Sequence, residues 1–169
     1  MNPTVTLVVP TVLRRLACFV YEGVLLFGVV MVAGFAYSTL TQQRHALSGT
    51  TGLQIVVFVV LGIYFAGFWS RTGQTLAMQT WQIRLVSASG ERVPLRRAVA
   101  RYLLSWLWFL PALLALYLAG LKGSGPVFGA LTAGVFAYAA LAWLRPDRQY
   151  WHDAVCRTRL VMVPPRVRS

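Results

Sequence analysis

The sequence predicts an all-α membrane protein: a four-transmembrane-helix bundle with a small cytoplasmic interfacial element, an amphipathic helix plus a two-stranded β ribbon. Three observations predict it. Hydrophobic residues make up 57% of the 169 residues and charged residues only 12%, against roughly 25% charged in soluble domains. Four apolar segments recur along the chain, each near the roughly 20 residues a helix needs to cross a bilayer. The basic residues stand outside those segments, and almost all on one side.

The segments run over 16–40, 52–69, 102–121 and 126–144. Each is expected to be helical, because a helix satisfies all its backbone polar groups internally in hydrocarbon. The first follows Arg14 and Arg15 and contains "GFA" at 34–36, features shared with a cleaved leader. Its length exceeds an apolar leader core of roughly 7 to 15 residues, and Glu22 interrupts it. It is therefore read as a retained first span. The linker 41–50 is short and polar. "KGSG" at 122–125 is a tight turn, so the third and fourth spans form an antiparallel hairpin, and Pro126 suits the first turn of the fourth. Residues 1–9 and 164–169 are short tails, leaving one domain over 10–163.

Charge placement gives the topology. Of the 16 Lys and Arg residues, only Arg44 and Lys122 fall on the side of the first and last linkers. Arg14, Arg15, the central arginines 71, 84, 92, 96, 97 and 101, and those of the tail (145, 148, 157, 159, 166 and 168) fall on the other. An excess of Arg and Lys marks the cytoplasmic side, so both termini are expected in the cytoplasm of a bacterial inner membrane. The same placement explains the net charge of +12. The arginines sit where a topology signal or anionic lipid headgroups want them, and nucleic acid is not expected as a partner.

The central stretch 70–101 has its own structure. "TWQIRLV" (80–86) alternates, with Trp81, Ile83 and Leu85 on one face, as a half-buried strand does. "SASGE" turns the chain. In "VPLRRAVARYLL", Leu95, Ala98, Val99 and Tyr102 share one face, while Arg96, Arg97 and Arg101 lie largely on the other: an interfacial amphipathic helix leading into the third span. The tail repeats the pattern, with a short helix over 149–156 and a strand over 157–163. Strands 80–86 and 157–163 lie on the same side and are expected to pair, supported by the helices and membrane surface beneath them.

Three of these pieces together resemble the RDD family of membrane proteins. "RRLACFVYEG" resembles its first helix, an arginine followed seven residues later by an acid. "GQTLAMQTWQIRLVSASGERVPLRRAVARYLL" is similar to its central stretch, and "RQYWHDAVCRTRLV" to its final motif. The resemblance covers about 10–163. It implies that the family arginine is Arg15, the first acid Glu22 and the last acid Asp153. Glu22 stands where the family usually has aspartate, and Ala77 where it usually has glycine. For function the resemblance implies membrane transport, some members having been proposed to move ions or protons.

The candidate site residues are Arg15, Glu22, Arg101 and Asp153. Arg15 and Glu22 are seven residues apart on one helix face, about 10.5 Å along the axis. A carboxylate at this depth faces the bundle and finds a partner; Arg15, Arg101, Tyr21 and Tyr102 are the candidates. Two readings stand: a protonatable site on an ion or proton path, or a buried salt bridge fixing the first span against the third. Asp153 is expected to pair with Arg71, Arg84 or Arg101, holding the tail to the central loop. Asp147 and Glu91 are read as solvated.

No other chemistry is legible. Cys18 and Cys156 lack framework or metal spacing, His152 and Asp153 fall short of a ligand set, and His45 lies across the membrane. Neither a nucleophile elbow nor a phosphate loop appears. An enzyme, a metal or another cofactor is therefore not expected. Gly125, Gly129, Ala133 and Ala137 make a small-residue stripe that lets a helix approach closely, expected to seat the third span or else a second subunit. Gly62 and Ala66 repeat that spacing. Trp69, Trp81, Trp143 and Trp151 fit an interfacial belt. The leading expectation is a small membrane transport or transport-accessory protein. The rival is a binding or assembly module docking a partner protein or anionic lipid on its basic face. The expected company is the bilayer itself, with a homo-oligomer or an operon-encoded membrane partner.

Overall fold

The computed structural model describes residues 8–42, 50–121, 123–144 and 149–163. Arg44, His45, Lys122, Asp147, the arginines at 145, 148, 166 and 168, and the side chain of Trp143 lie outside the described residues.

Four helical spans are long and apolar enough to cross a membrane. The first, α1 (Val12–Leu40), starts four residues before the expected boundary, because Thr11 caps it, its hydroxyl accepting from the Arg14 N–H at 3.3 Å. The second is α2 (Thr50–Arg71). After it comes a helix that periodicity did not reveal, α3 (Leu76–Thr80), capped by Thr75. The strand β1 (Ile83–Ser87) follows. It begins three residues later than expected, since Thr80 closes α3, Trp81 caps it, and Gln82 turns the chain at φ 54°. Arg14 binds this corner, donating to the Trp81 carbonyl at 2.9 Å and to Gln82 Oε1 at 3.3 Å.

The third span is broken. The amphipathic helix α4 (Leu95–Ser105) tightens into a 3₁₀ turn at Trp106–Trp108 and resumes as α5 (Leu110–Leu118). Pro111 sits in the first turn of α5. It lacks the N–H that would bond one turn back, which explains the break. The fourth span is α6 (Ser124–Leu141), then a 3₁₀ turn at Ala142–Leu144, the short helix α7 (Trp151–Val155) and the strand β2 (Thr158–Met162).

The two strands pair antiparallel, Leu85 opposite Leu160 and Ser87 opposite Thr158. The Met162 N–H also donates to the Val8 carbonyl at 2.8 Å, adding the N-terminal segment beside β2. The ribbon is not left alone on a surface. Ile83 and Leu85 are 1% exposed and join the core with Val93, Ala98 and Leu160.

Topology shows the chain to be a doubled unit. A span leaves the basic end, a span returns, a five-residue helix ends on a left-handed residue, and a strand follows. In the first half these are α1, α2, α3, Gln82 and β1; in the second, α4 with α5, α6, α7, Arg157 (φ 53°) and β2. The "RLV" of residues 84–86 returns at 159–161, so the two strands meet about a local two-fold at Leu85 and Leu160. Each short helix packs on the first span of its own half, α3 on α1 and α7 on α4.

Packing is concentrated at the basic end. The buried residues of α1 are Val12, Arg15, Cys18 and Glu22, and none is buried beyond them. There is a correction on α6. Gly125, Gly129, Ala133 and Ala137 are all exposed, and a Cβ on either glycine would meet nothing within 4 Å. The third span instead packs on the neighbouring face, where a Cβ on Gly134 would stand 3.0 Å from that of Ala112. Gly62, by contrast, does seat a helix: a Cβ there would lie 3.0 Å from the Tyr102 ring.

Gly73 is the glycine with the strongest requirement. It has φ 72°, and a Cβ would lie 2.7 Å from the Leu85 carbonyl oxygen, whose residue's N–H donates back to the Gly73 carbonyl at 2.8 Å. Gly73→Ala is expected to lower stability by about 1–3 kcal/mol, read as the shift in thermal unfolding of the detergent-solubilised protein. An unchanged midpoint would show that this corner relaxes freely.

Candidate functional site

Two buried polar clusters lie where the spans meet the ribbon, one in each half of the repeat. The first is built on Glu22, which is 6% exposed. Tyr64 on α2 donates its hydroxyl to Glu22 Oε1 at 2.7 Å. Thr75 donates its hydroxyl to Oε2 while accepting the Met78 N–H at 3.3 Å as the cap of α3. Thr75 is fully buried, so one hydroxyl joins the α1 carboxylate to the start of α3. Two neutral hydroxyls thus donate to Glu22, both from residues other than the expected candidates. Tyr21 is exposed, and Tyr102 gives its hydroxyl to the Phe58 carbonyl at 2.7 Å. Ala77 is fully buried inside α3, where alanine suits the helix as well as glycine would suit a turn.

The second cluster is built on Asp153, which is fully buried. Arg101 donates Nε to Asp153 Oδ1 at 2.7 Å, and Thr158 donates to the same oxygen at 3.1 Å. The Arg101 guanidinium also lies over the Trp69 ring, 4.2 Å from its centroid, a cation–π contact. Of the three arginines expected to meet Asp153, the structure brings Arg101. Arg84 reaches Gln74 at 3.4 Å. Burial alone would raise the Asp153 carboxyl, but Arg101 beside it and the hydrogen bonds from Arg101 and Thr158 hold it below the ordinary carboxylate value.

His152 stands next to this pair. Its Nδ1 meets the Tyr138 hydroxyl at 3.0 Å, and its ring stacks on those of Tyr138 and Tyr150. Burial drives it down to about 4, against the pull of Asp153 in the other direction. It is therefore neutral at neutral pH, and its Nε2, 3.7 Å from Asp153 Oδ2, is no ion pair there. Arg15 lies over the Tyr150 ring at 4.6 Å.

A cavity of about 330 Å³ joins these groups. Arg15, Glu22 and Arg101 all line it, with aromatic walls from Phe19, Phe65, Trp106 and Trp108. Asp153 lies behind Arg101 and does not line it. Thus three of the four expected site residues share one chamber, and the fourth neutralises one of them. Sequence reading missed Tyr64, Thr75 and Tyr138, whereas Thr158 is the threonine that follows Asp153 in the stretch resembling the family's final motif. The signal for Thr75 was a threonine directly before the apolar run "LAM", a helix start; Tyr64 and Tyr138 carried none. Among the described residues no group of three or more His, Cys, Asp or Glu side chains is placed to hold a metal ion.

Four spans around a partly polar chamber describe an integral, multi-pass membrane protein, and the arginine, acid and final-motif positions resembling the RDD pattern stand together at its basic end. No curated protein and no solved structure matches the chain. The RDD family model matches residues 9–157, from the approach to α1 through α7, and the chain belongs to the RDD family.

Proposed function

We propose that this protein moves a proton or small cation across the bacterial inner membrane, with Glu22 as the group that binds and releases it. The observation carrying the reading is the contrast between the two buried carboxylates. Asp153 is held charged by Arg101. Glu22 is held by hydroxyls, and a hydroxyl serves either form of the acid, donating to a carboxylate or accepting from a carboxylic acid. A buried acid that can exist in both forms, on the wall of a cavity, is what a proton-linked step requires.

In this reading the basic end faces the cytoplasm, as arginine placement directs, and both termini lie there. The reading assigns no catalytic step and no cofactor. It includes company in the bilayer, a second copy or another membrane protein, because four spans enclose little room for a complete pathway. The exposed Gly125 to Ala137 stripe leaves a face on which a neighbouring helix can come close.

The test is flux in vesicles reconstituted with the purified protein and loaded with a pH-sensitive dye. A cation gradient is expected to drive proton movement in the wild type, and Glu22→Gln is expected to reduce it at least tenfold. Unchanged flux in the variant would remove Glu22 from the mechanism, and no flux in the wild type would remove transport. A stoichiometric partner protein retained through purification would favour the assembly-module reading instead.

A further inference from the structure

A second hollow, of about 410 Å³, lies between α2 and α4, on the outer side of the pair. Two stripes of side chains frame it. On α2 these are Val59, Ile63 and Gly67, four residues apart, and the next position in that series is Arg71. On α4 they are Leu103, Val99 and Leu95, also four apart, and the exposed Arg96 is next in sequence to Leu95. Both walls are apolar along their length; the α2 series runs on to Arg71, and the α4 wall ends at Leu95, flanked by Arg92 and Arg96 in sequence. Arg92 joins them, its Nη2 donating to the Arg71 carbonyl. Arg71, Arg92 and Arg96 are all exposed.

These three cations differ from four others at this end, though not from Arg157 and Arg159, which are exposed too. Arg14, Arg84, Arg97 and Arg101 are held by protein partners, Trp81, Gln74, Ser87 and Asp153 in turn. Among the described residues, none of Arg71, Arg92 and Arg96 makes an ion pair. The exposed Glu91 is next in sequence to Arg92, and one carboxylate leaves the group cationic. The apolar part of the hollow extends from Gly67 to Phe58, roughly 13 Å of helix. That is close to one leaflet of a hydrocarbon core about 30 Å thick. The hollow therefore has the length of one leaflet, apolar walls, and positive charge only at the headgroup end.

We propose that this groove is a binding site for an anionic phospholipid, one acyl chain lying between α2 and α4 and its phosphate resting on Arg71, Arg92 and Arg96. Gly67 keeps the groove open. A Cβ there would meet nothing within 4 Å, so no contact inside the chain demands glycine. Arginine suits the other end because its fork of N–H donors matches phosphate oxygens. The site is independent of the Glu22 reading, sharing only Tyr102 as a wall with that cavity.

The test is native mass spectrometry of the whole protein in mild detergent, titrated with phosphatidylglycerol and with phosphatidylcholine of the same acyl chains. One phosphatidylglycerol is expected to be retained in preference to phosphatidylcholine. Removing one arginine to glutamine is expected to weaken that retention about fivefold, and removing all three to bring it to the phosphatidylcholine level. Gly67→Phe is expected to fill the groove and abolish retention, with the circular dichroism and thermal midpoint of the wild type preserved. Equal retention of the two lipids by the wild type, or undiminished retention by Gly67→Phe, would overturn the proposal. So would a dimer that Gly67→Phe dissolves, which would give the groove to a second copy.

Discussion

Asp153→Asn is expected to destabilise the basic end of the protein by about 3–5 kcal/mol, the penalty for breaking a buried ion pair by removing one partner. Asparagine keeps the shape and an acceptor oxygen, so the loss is one of charge. Arg101 stays 6% exposed with nothing to neutralise it. Its stacking on Trp69 contributes about 0.5–2 kcal/mol, too little to offset an unpaired buried cation. The double substitution Arg101→Met with Asp153→Leu is expected to recover much of the loss, because apolar groups of similar volume replace a buried pair at little net penalty. Thermal unfolding in detergent of the wild type, Arg101→Met, Asp153→Leu and the double variant closes the cycle. A strong favourable coupling between the sites is the expected result. An Asp153→Asn midpoint matching the wild type would show that Arg101 does not depend on this carboxylate. The pair joins α4 to α7 within the second half of the repeat, beside the Tyr138–His152 contact that joins α6 to α7.

The spans were legible because hydrocarbon imposes length and composition on whatever crosses it. The pairing of the ribbon was legible because Leu85 and Leu160 lie in short alternating stretches on the same side. What lay between was harder to read. Five residues of α3 give less than two turns, too few for a period to show, yet Thr75 and Met78 fix its start through a single hydroxyl. With α3 illegible, the candidates beside Glu22 are Arg15, Arg101, Tyr21 and Tyr102, and the Thr75 hydroxyl that reaches it from the start of α3 is not among them. The orientation of α6 was illegible for a different reason. Its lipid and protein faces are equally apolar, so four-residue spacing identifies a stripe without saying what it faces. Gly134, outside the stripe, is where the third span actually comes close.

The repeat is half visible in the sequence, where the tail copies the central stretch. The structure extends the copy to whole halves, and it shows what differs between them. At the junction of span and short helix, the first half carries an acid held by hydroxyls and the second carries an ion pair. Equivalent scaffolds thus carry a carboxylate held by hydroxyls in one half and a carboxylate held by an arginine in the other.

Lowering the pH from about 6.5 to about 4 is expected to loosen the same end by about 3 kcal/mol, with His152 as the cause. The sign follows from the protons bound. Unfolded, His152 titrates near 6.5; folded, burial holds it down to about 4. Between these values the unfolded chain binds a proton that the folded chain refuses, so stability is full above 6.5 and falls as the pH drops toward 4. Solvent screening does not reduce the effect, since His152 is 2% exposed. The groups around it set the balance: Arg101 and Arg15 oppose its protonation, Asp153 favours it, and Tyr138, Tyr150 and Trp108 enclose the ring. Asp153 acts in a lower window. Its depressed carboxyl contributes stability above its ordinary value of 3.8 that is lost only as the pH falls further. His152→Phe keeps the ring stack and removes the titration, so its unfolding midpoint is expected to stay level where that of the wild type declines. A wild-type midpoint that is flat from 6.5 to 4 would show that the folded protein accepts the proton, and that the ring is not enclosed as described.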